Sequence, residues 1–427
     1  MGYKAESFDL WQYLCADAYD PLIRCRIDFD GHIDEAALKK AVTASIQTIP
    51  MVGCAFGRSW PKPRWIQKGF TGDDIVHVSE ASAMHEEASV ARRLSSRIDY
   101  GAEPPLKIFV SRKHGSDTLC VIISHILCDG AGFKQYLYLM SKLYTQLANG
   151  EPASAPPFVS RGTKPLFAGI ALKERLEIMR SDFFSYNSQY NPTRYGVDLN
   201  EGASVTVMDR RSIPEADLAC VKGFAKDRGA SVNDAMMAFF ARSYCKNTGS
   251  RQIMFPSTMD LRRFISRDQA HGIGNYSSNC MCSVHHRPGD SPADTLDQVS
   301  IQMREFKTGN SVLKSIMLWD LASLKSWKSL KRYFDKYHTH PVVSYTNLGI
   351  IDANELRFGE TRIKDAYITG SIKPRPYLQL SVSTFNGRCM LGCNIYGSEA
   401  DQRFVARLLD DMRAEIASLN ANLAAAK

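Results

Sequence analysis

The chain has 427 residues, of which 44% are hydrophobic and 23% charged, an ordinary balance for a globular protein long enough for two or three domains. Its net charge of +8, from 53 basic and 45 acidic side chains, mildly favours anionic partners such as phosphorylated cofactors or an acidic carrier protein. That charge is too diffuse to argue for nucleic acid, and no apolar stretch approaches the roughly 18 residues of a membrane span.

The N-terminal MGYKAESFDLWQYLC lacks the basic-then-apolar order of a secretory signal, and Glu6 stands where myristoylation of Gly2 would require Ser or Thr. The eleven cysteines are scattered, with no CxxC pair and no Cys/His quartet at zinc spacing. They predict reduced thiols, a cytoplasmic location and no metal. Cys280 and Cys282 would share one strand face as small hydrophobes.

In chain order, Leu22 to Phe29 reads as a strand, and Asp34 caps a helix from Glu35 to about Thr48, stopped by Pro50. Arg64 to Lys68 and Asp74 to Val78 read as short strands, His85 to about Ile98 as a helix, and Leu106 to Ser111 as a strand. Thr118 to Ile123 is the β-branched run of a buried strand. Phe133, Tyr136, Leu137, Met140, Leu143 and Tyr144 then recur at helical spacing. Between them stands Ser124-His125-Ile126-Leu127-Cys128-Asp129-Gly130, with Gly130 and Gly132 expected to turn the backbone sharply. An imidazole at the mouth of a buried strand is where a rigid scaffold would hold a general base.

Asn149 to Pro157 reads as a connector. The second half repeats the mixture: a strand at Ser204 to Met208, then a helix to about Asp227 with a capping box at Ser212, Pro214 and Glu215. Gly229 ends that helix and Ser231 starts another, from Asn233 to about Tyr244. Strands follow at Ile253 to Thr258 and Val342 to Tyr345. Asn386-Gly387 joins Leu378 to Phe385 with Cys389 to Tyr396 in a hairpin, and Glu399 to Leu423 reads as a long amphipathic helix. Lys325, Lys328, Lys331, Arg332 and Lys336 read as the solvated face of a helix with Leu324, Trp327 and Phe334 opposite. His338 and His340, flanking Thr339 in a predicted loop, read as solvent-facing. No Gly-x-Ser-x-Gly elbow, zinc-protease helix, dinucleotide fingerprint or P-loop is present.

His125 to Gly130 matches the HxxxDG motif, and the chain resembles the chloramphenicol-acetyltransferase-like superfamily, which includes condensation domains and alcohol acyltransferases. Pro105 to Ile108, Ser231 to Ala235, Ser257 to Arg262, Gly274-Asn275-Tyr276 and Ser344 to Gly349 are similar to further landmarks of these proteins. The motif's early position matches the two-lobed monomeric members, and the plant BAHD signature Asp-Phe-Gly-Trp-Gly is absent. The resemblance implies an α/β (α+β) fold of two acetyltransferase-like lobes, each a mixed sheet with flanking helices, arranged as a V-shaped pseudo-dimer. Residues 1–165 would form the motif-bearing lobe and 166–427 the second, whose crossover segments complete a channel.

The implied function is acyl transfer from a thioester of coenzyme A or a carrier-bound phosphopantetheine, a co-substrate rather than a tightly bound cofactor, to a small alcohol or amine. With no carrier segment read on the chain, that donor would arrive from outside. His125 would be the base, worth roughly 10²–10⁴ in rate. Asp129 would turn away from the chemistry and pair with Arg262, or with Arg263, holding the loop. The Gly130 backbone N–H and the hydroxyls of Ser381, Ser383 and Thr384 are oxyanion candidates, at roughly 10²–10³ for each donor. Tyr345 and Asn347 are channel candidates. A carrier-dependent amide-forming condensation enzyme and a catalytically silent carrier-docking protein are the alternatives.

Overall fold

The computed structural model describes residues 2–80, 86–181, 193–197, 202–266 and 272–425, so the predicted helix start at His85 lies outside the described residues. Sheets of three, five and seven strands are flanked by helices in a mixed α/β architecture. The strand Ser116–Ser124 is the centre of the five-stranded sheet, in the order Arg362–Thr369, Leu22–Asp30, Ser116–Ser124, Leu106–Lys113, Val76–Glu80. All of its residues are buried, as expected of a strand covered on both faces. Leu119 faces Ile27 on one side and Val110 on the other, both in antiparallel register.

The helix Gly130–Ala148 follows and buries Phe133, Tyr136, Leu137, Met140, Leu143 and Tyr144, the stripe its spacing predicts. Fully burying a large apolar side chain of this kind stabilises by about 1.5–3 kcal/mol, so this stripe fixes the helix against the sheet. The seven-stranded sheet draws all its strands from residues 205–397. Its edge strand Ser277–His285 alternates between buried and more exposed residues, with Cys280 and Cys282 on the buried face.

One strand crosses between the halves. Arg362–Thr369 belongs to the C-terminal half of the sequence, yet pairs with Leu22–Asp30, placing Tyr367 opposite Arg26. The first apolar core therefore joins residues such as Ile27 and Leu137 to Trp319, Phe334, Ile368 and Phe385, while the second runs from Leu166 to Ile416.

Local differences from the predicted elements have local causes. Gly72–Ile75 forms one helical turn because Thr71 and Asp74 make a capping box, and the strand expected from Asp74 starts at Val76. The helix expected from a capping box at Ser212 starts at Glu215 behind Pro214; Ser212 stays within the strand Val205–Ile213 and no side chain caps the helix. The strand predicted at Val342 to Tyr345 continues to Ile351. The basic helix Trp327–Tyr337 buries Leu330 and Phe334 and leaves Lys328, Arg332 and Lys336 exposed.

A buried ion pair ties the early helix Ser7–Cys15 to both halves. Asp9 accepts from Arg161 at 2.8 and 3.2 Å and from the Trp65 indole at 2.8 Å, and both charged side chains are 1% exposed. Arg161 also donates to the Leu127 carbonyl, inside the histidine loop, and to the Ile273 carbonyl at 3.2 Å. Removing one member strands the other charge in the interior, whereas removing both does not. Arg161→Met is expected to lower unfolding stability by about 3–5 kcal/mol in urea titration. Asp9→Leu/Arg161→Met should recover part of that loss; strictly additive single effects would show that the pair is not coupled.

Candidate active site

The strand Ser116–Ser124 ends at His125, and the helix Gly130–Ala148 begins five residues later. The loop between them is held from the second half. Asp129 caps the helix by accepting from the Gly132 N–H at 2.8 Å. Its carboxylate also accepts from the Tyr276 N–H at 2.7 Å and from both terminal nitrogens of Arg262, at 3.0 and 3.1 Å. Burial pushes the Asp129 pKa up, but Arg262 and the two N–H donors outweigh it and leave it below the usual carboxylate value. Arg262 in turn donates to the Gly274 carbonyl at 3.1 Å, and the Asp129 N–H reaches the same carbonyl at 3.1 Å.

Of the two arginines considered, Arg262 makes the pair. Arg263 instead donates to the Phe306 and Gly309 carbonyls at 2.9 and 2.7 Å, closing the C-terminal end of the helix Pro292–Thr308. Gly130 and Gly132 do not serve the sharp turn expected of them, since both have ordinary helical backbone angles. Close approach accounts for Gly132, where a Cβ would lie 2.9 Å from the Gly274 carbonyl oxygen; a Cβ on Gly130 would lie 2.4 Å from Leu348 Cδ2 and would push that side chain aside.

Asn275 fixes the ring of His125. Its amide nitrogen donates to the His125 and Ile126 carbonyls at 2.9 and 3.2 Å, so its Oδ1 is the atom left facing His125 Nδ1, at 3.1 Å. An oxygen there can only accept, so Nδ1 carries the proton and Nε2 keeps its lone pair. Burial lowers the His125 pKa; Asp129 opposes the shift and Lys373 adds to it, so the ring is neutral at pH 7.

His125 lines a cavity of about 510 Å³ with walls from both halves of the chain, including Trp11, Asp129, Asn347 and Lys373. The first helical residues, Gly130 and Ala131, also line it, and N–H groups at such positions have no intrahelical partner. Tyr345 and Asn347 are on the wall, both donating to Asn233 Oδ1, at 3.0 and 2.8 Å.

Three expected residues are elsewhere. Ser381 is bonded to the Gly392 carbonyl at 2.9 Å and to Thr369 at 2.8 Å, and Ser383 accepts from the Ile368 N–H at 3.1 Å. Both are spent on fastening the crossing strand Arg362–Thr369 to its neighbour. Thr384 faces Cys389 across the hairpin, and none of the three lines the cavity. His338 and His340, expected in solvent, are half-buried on the cavity wall, their rings packed against Trp11 and Phe334, and Tyr19, respectively. Asn275 stood in a recognised landmark without a role. Arg161 and Lys373 carry no local sequence signal.

Asp129→Ala is expected to cost about 3–5 kcal/mol of unfolding stability, because it takes away the buried partner of both Arg262 terminal nitrogens and of two backbone N–H groups, leaving Arg262 with only the half-exposed Asp260, at 3.2 Å, as a counter-charge. His125→Ala, losing one hydrogen bond, is expected to cost about 1 kcal/mol or less. Denaturant titrations that gave equal losses would contradict this separation of roles.

No model of a known protein family matches the sequence, and no curated protein matches it. Solved structures do match over nearly the full length. Polyketide synthase associated protein 5 from Mycobacterium tuberculosis is 15% identical, with a TM-score of 0.67, covering 99% of this chain and 98% of that one. The epimerization domain from the third module of tyrocidine synthetase B is 13% identical, with a TM-score of 0.70 and coverages of 99% and 96%. The condensation domain of the monacolin K polyketide synthase is 13% identical, with a TM-score of 0.68 and coverages of 99% and 97%. One fold thus serves proteins named for different reactions, so activity has to be argued from the site. By its architecture the chain has the fold of the condensation and epimerization domains that it matches over nearly its full length, the fold that the HxxxDG resemblance implies.

Proposed function

We propose that the protein is an acyltransferase moving an acyl group from a coenzyme A or carrier-protein thioester to an alcohol or amine, with His125 as general base. The observation that carries this reading is the Asn275 clamp, which leaves a neutral imidazole with a free Nε2 lone pair on the wall of a cavity between the two halves. In the reaction, Nε2 takes the acceptor's proton as its oxygen or nitrogen attacks the thioester carbonyl. The tetrahedral oxyanion then collapses, the C–S bond breaks, and the proton on Nε2 passes to the departing thiolate. The N–H groups of Gly130 and Ala131, both at the cavity wall, are the oxyanion donors in this reading, at roughly 10²–10³ in rate for each.

Other features support the same reading. The positive net charge suits an anionic donor, whether coenzyme A or an acidic carrier. Both halves of one chain build the cavity, so a monomer would suffice. All eleven cysteines are free, which fits a reducing cytoplasm, and no helix among the described residues is long and apolar enough to cross a membrane. An amide-forming condensation with both substrates on carriers would use the same base, and the condensation-domain neighbours favour keeping that donor in the assay.

The purified protein, offered acyl-coenzyme A and acyl-carrier donors with panels of alcohols and amines, is expected to form an acylated product detectable by mass. His125→Ala should reduce the rate roughly 10²–10⁴-fold while remaining folded. Because the folded His125 pKa is lowered, its base form persists into mild acid. The acidic limb of kcat/KM against pH should therefore fall below pH 6.5, the ordinary histidine value. No transfer from either donor would favour a silent docking protein instead.

A further inference from the structure

The cavity wall carries a lysine, Lys373, that the chemistry above does not use. Lys373 sits in the short strand Lys373–Pro374, is 8% exposed, and places its Nζ 3.1 Å from the centroid of the Tyr19 ring. Tyr19 packs against it, and the titratable groups that feel its charge are Cys15, Asp20, His338, His340 and His125. No carboxylate among the described residues is bonded to it. Asp20, the nearest acidic influence, is held by Arg24 at 2.5 Å, and the two acidic residues on the cavity wall, Asp129 and Asp260, are both bonded to Arg262.

A buried ammonium without an anion is costly and tends to give up its proton. Burial accordingly lowers Lys373 to about 7, and His338 and His340 to about 3 and 4, so both rings are neutral. The rings are joined, His338 Nε2 to His340 Nδ1 at 3.3 Å, so that of the two nitrogens left over in the neutral pair one is an N–H donor and the other an acceptor. Lys134, the other lysine on the cavity wall, donates to the Ile350 carbonyl at 3.1 Å and lies in the field of Asp260 and Asp129, so among the described residues Lys373 is the cation left to balance a single negative charge.

We propose that Lys373, with His338 and His340 beside it, recognises a carboxylate on the acyl group or the acceptor; calling that occupant a substrate rests on the acyl-transfer reading. A metal ion is the competing occupant, since the ligand atoms of Cys15, His338 and His340 lie within 4.8 Å of one another. A divalent cation there would first have to displace the Cys15 proton, which burial holds by pushing the thiol up to about 12, and would repel the protonated form of Lys373 that a carboxylate recruits.

Calorimetric titration of the full chain with hexanoate and hexanamide tests this without requiring turnover. The wild type is expected to bind hexanoate at least tenfold more tightly and, at pH 8, to take up a proton on binding, read from the dependence of the heat on buffer. Lys373→Met should abolish both effects and Lys373→Arg should keep the preference, which guards against a variant that fails to fold. Equal affinities, binding of neither ligand, or a preference surviving in Lys373→Met would overturn the proposal. So would one zinc per chain retained through dialysis and lost in Cys15→Ser. A hexanoate preference in a protein inactive with every donor would spare this subsite and remove the acyl-transfer reading, while transfer to neutral acceptors without such a preference would do the reverse.

Discussion

The Asp129–Arg262 pair is the constraint on which the rest of the site depends. One carboxylate takes four donors, two backbone N–H groups and both ends of a guanidinium, and those donors come from two parts of the chain. Gly132 lies in the same helix as the carboxylate; Arg262 and Tyr276 lie more than 130 residues away. Saturating the carboxylate in this way offsets the cost of burying it and fixes where the second half meets the histidine loop. The absence of a side chain at Gly132 follows from that contact, because the Gly274 carbonyl occupies the space a Cβ would need.

This arrangement divides two tasks that the shared His-x-x-x-Asp spelling could confuse. Asp129 holds geometry, and its field opposes the fall in the His125 pKa without touching the ring. Asn275 sets the tautomer, as a neutral group whose amide nitrogen is already spent on two carbonyls. An aspartate in its place would favour a protonated imidazole, which has no lone pair to offer. The neutral amide therefore suits the proposed role, in which the base would start each cycle unprotonated.

Those parts of the fold governed by local pattern were legible in the sequence. The buried run from Thr118 to Ile123, the helical stripe from Phe133 to Tyr144 and the Asn386-Gly387 hairpin formed where side-chain periodicity and turn chemistry put them. The pairing of Asp129 with Arg262 was accessible only through the family resemblance, since nothing in either segment names the other. Ser381 and Ser383 were misread because their partner is the strand Arg362–Thr369, whose crossing into the other half depends on contacts distant in sequence. His338 and His340 were misread for a similar reason. A loop histidine is exposed by default, but here Trp11 and Tyr19, from near the start of the chain, cover them.

The same geometry bears on why transfer would be direct. An acyl-enzyme intermediate needs a nucleophile within hydrogen-bond reach of its base. Among the described residues, the side chain recorded against the His125 ring is an amide, which cannot serve. Cys15, the thiol on the cavity wall, is held protonated by burial and lies with the two neutral histidines and Lys373. In the proposed reaction, the hydroxyl or amine that Nε2 would deprotonate is then supplied by the acceptor itself. On that logic the fold's contribution is to bring two substrates together at one imidazole, while the groups lining the remaining wall decide which substrates those are.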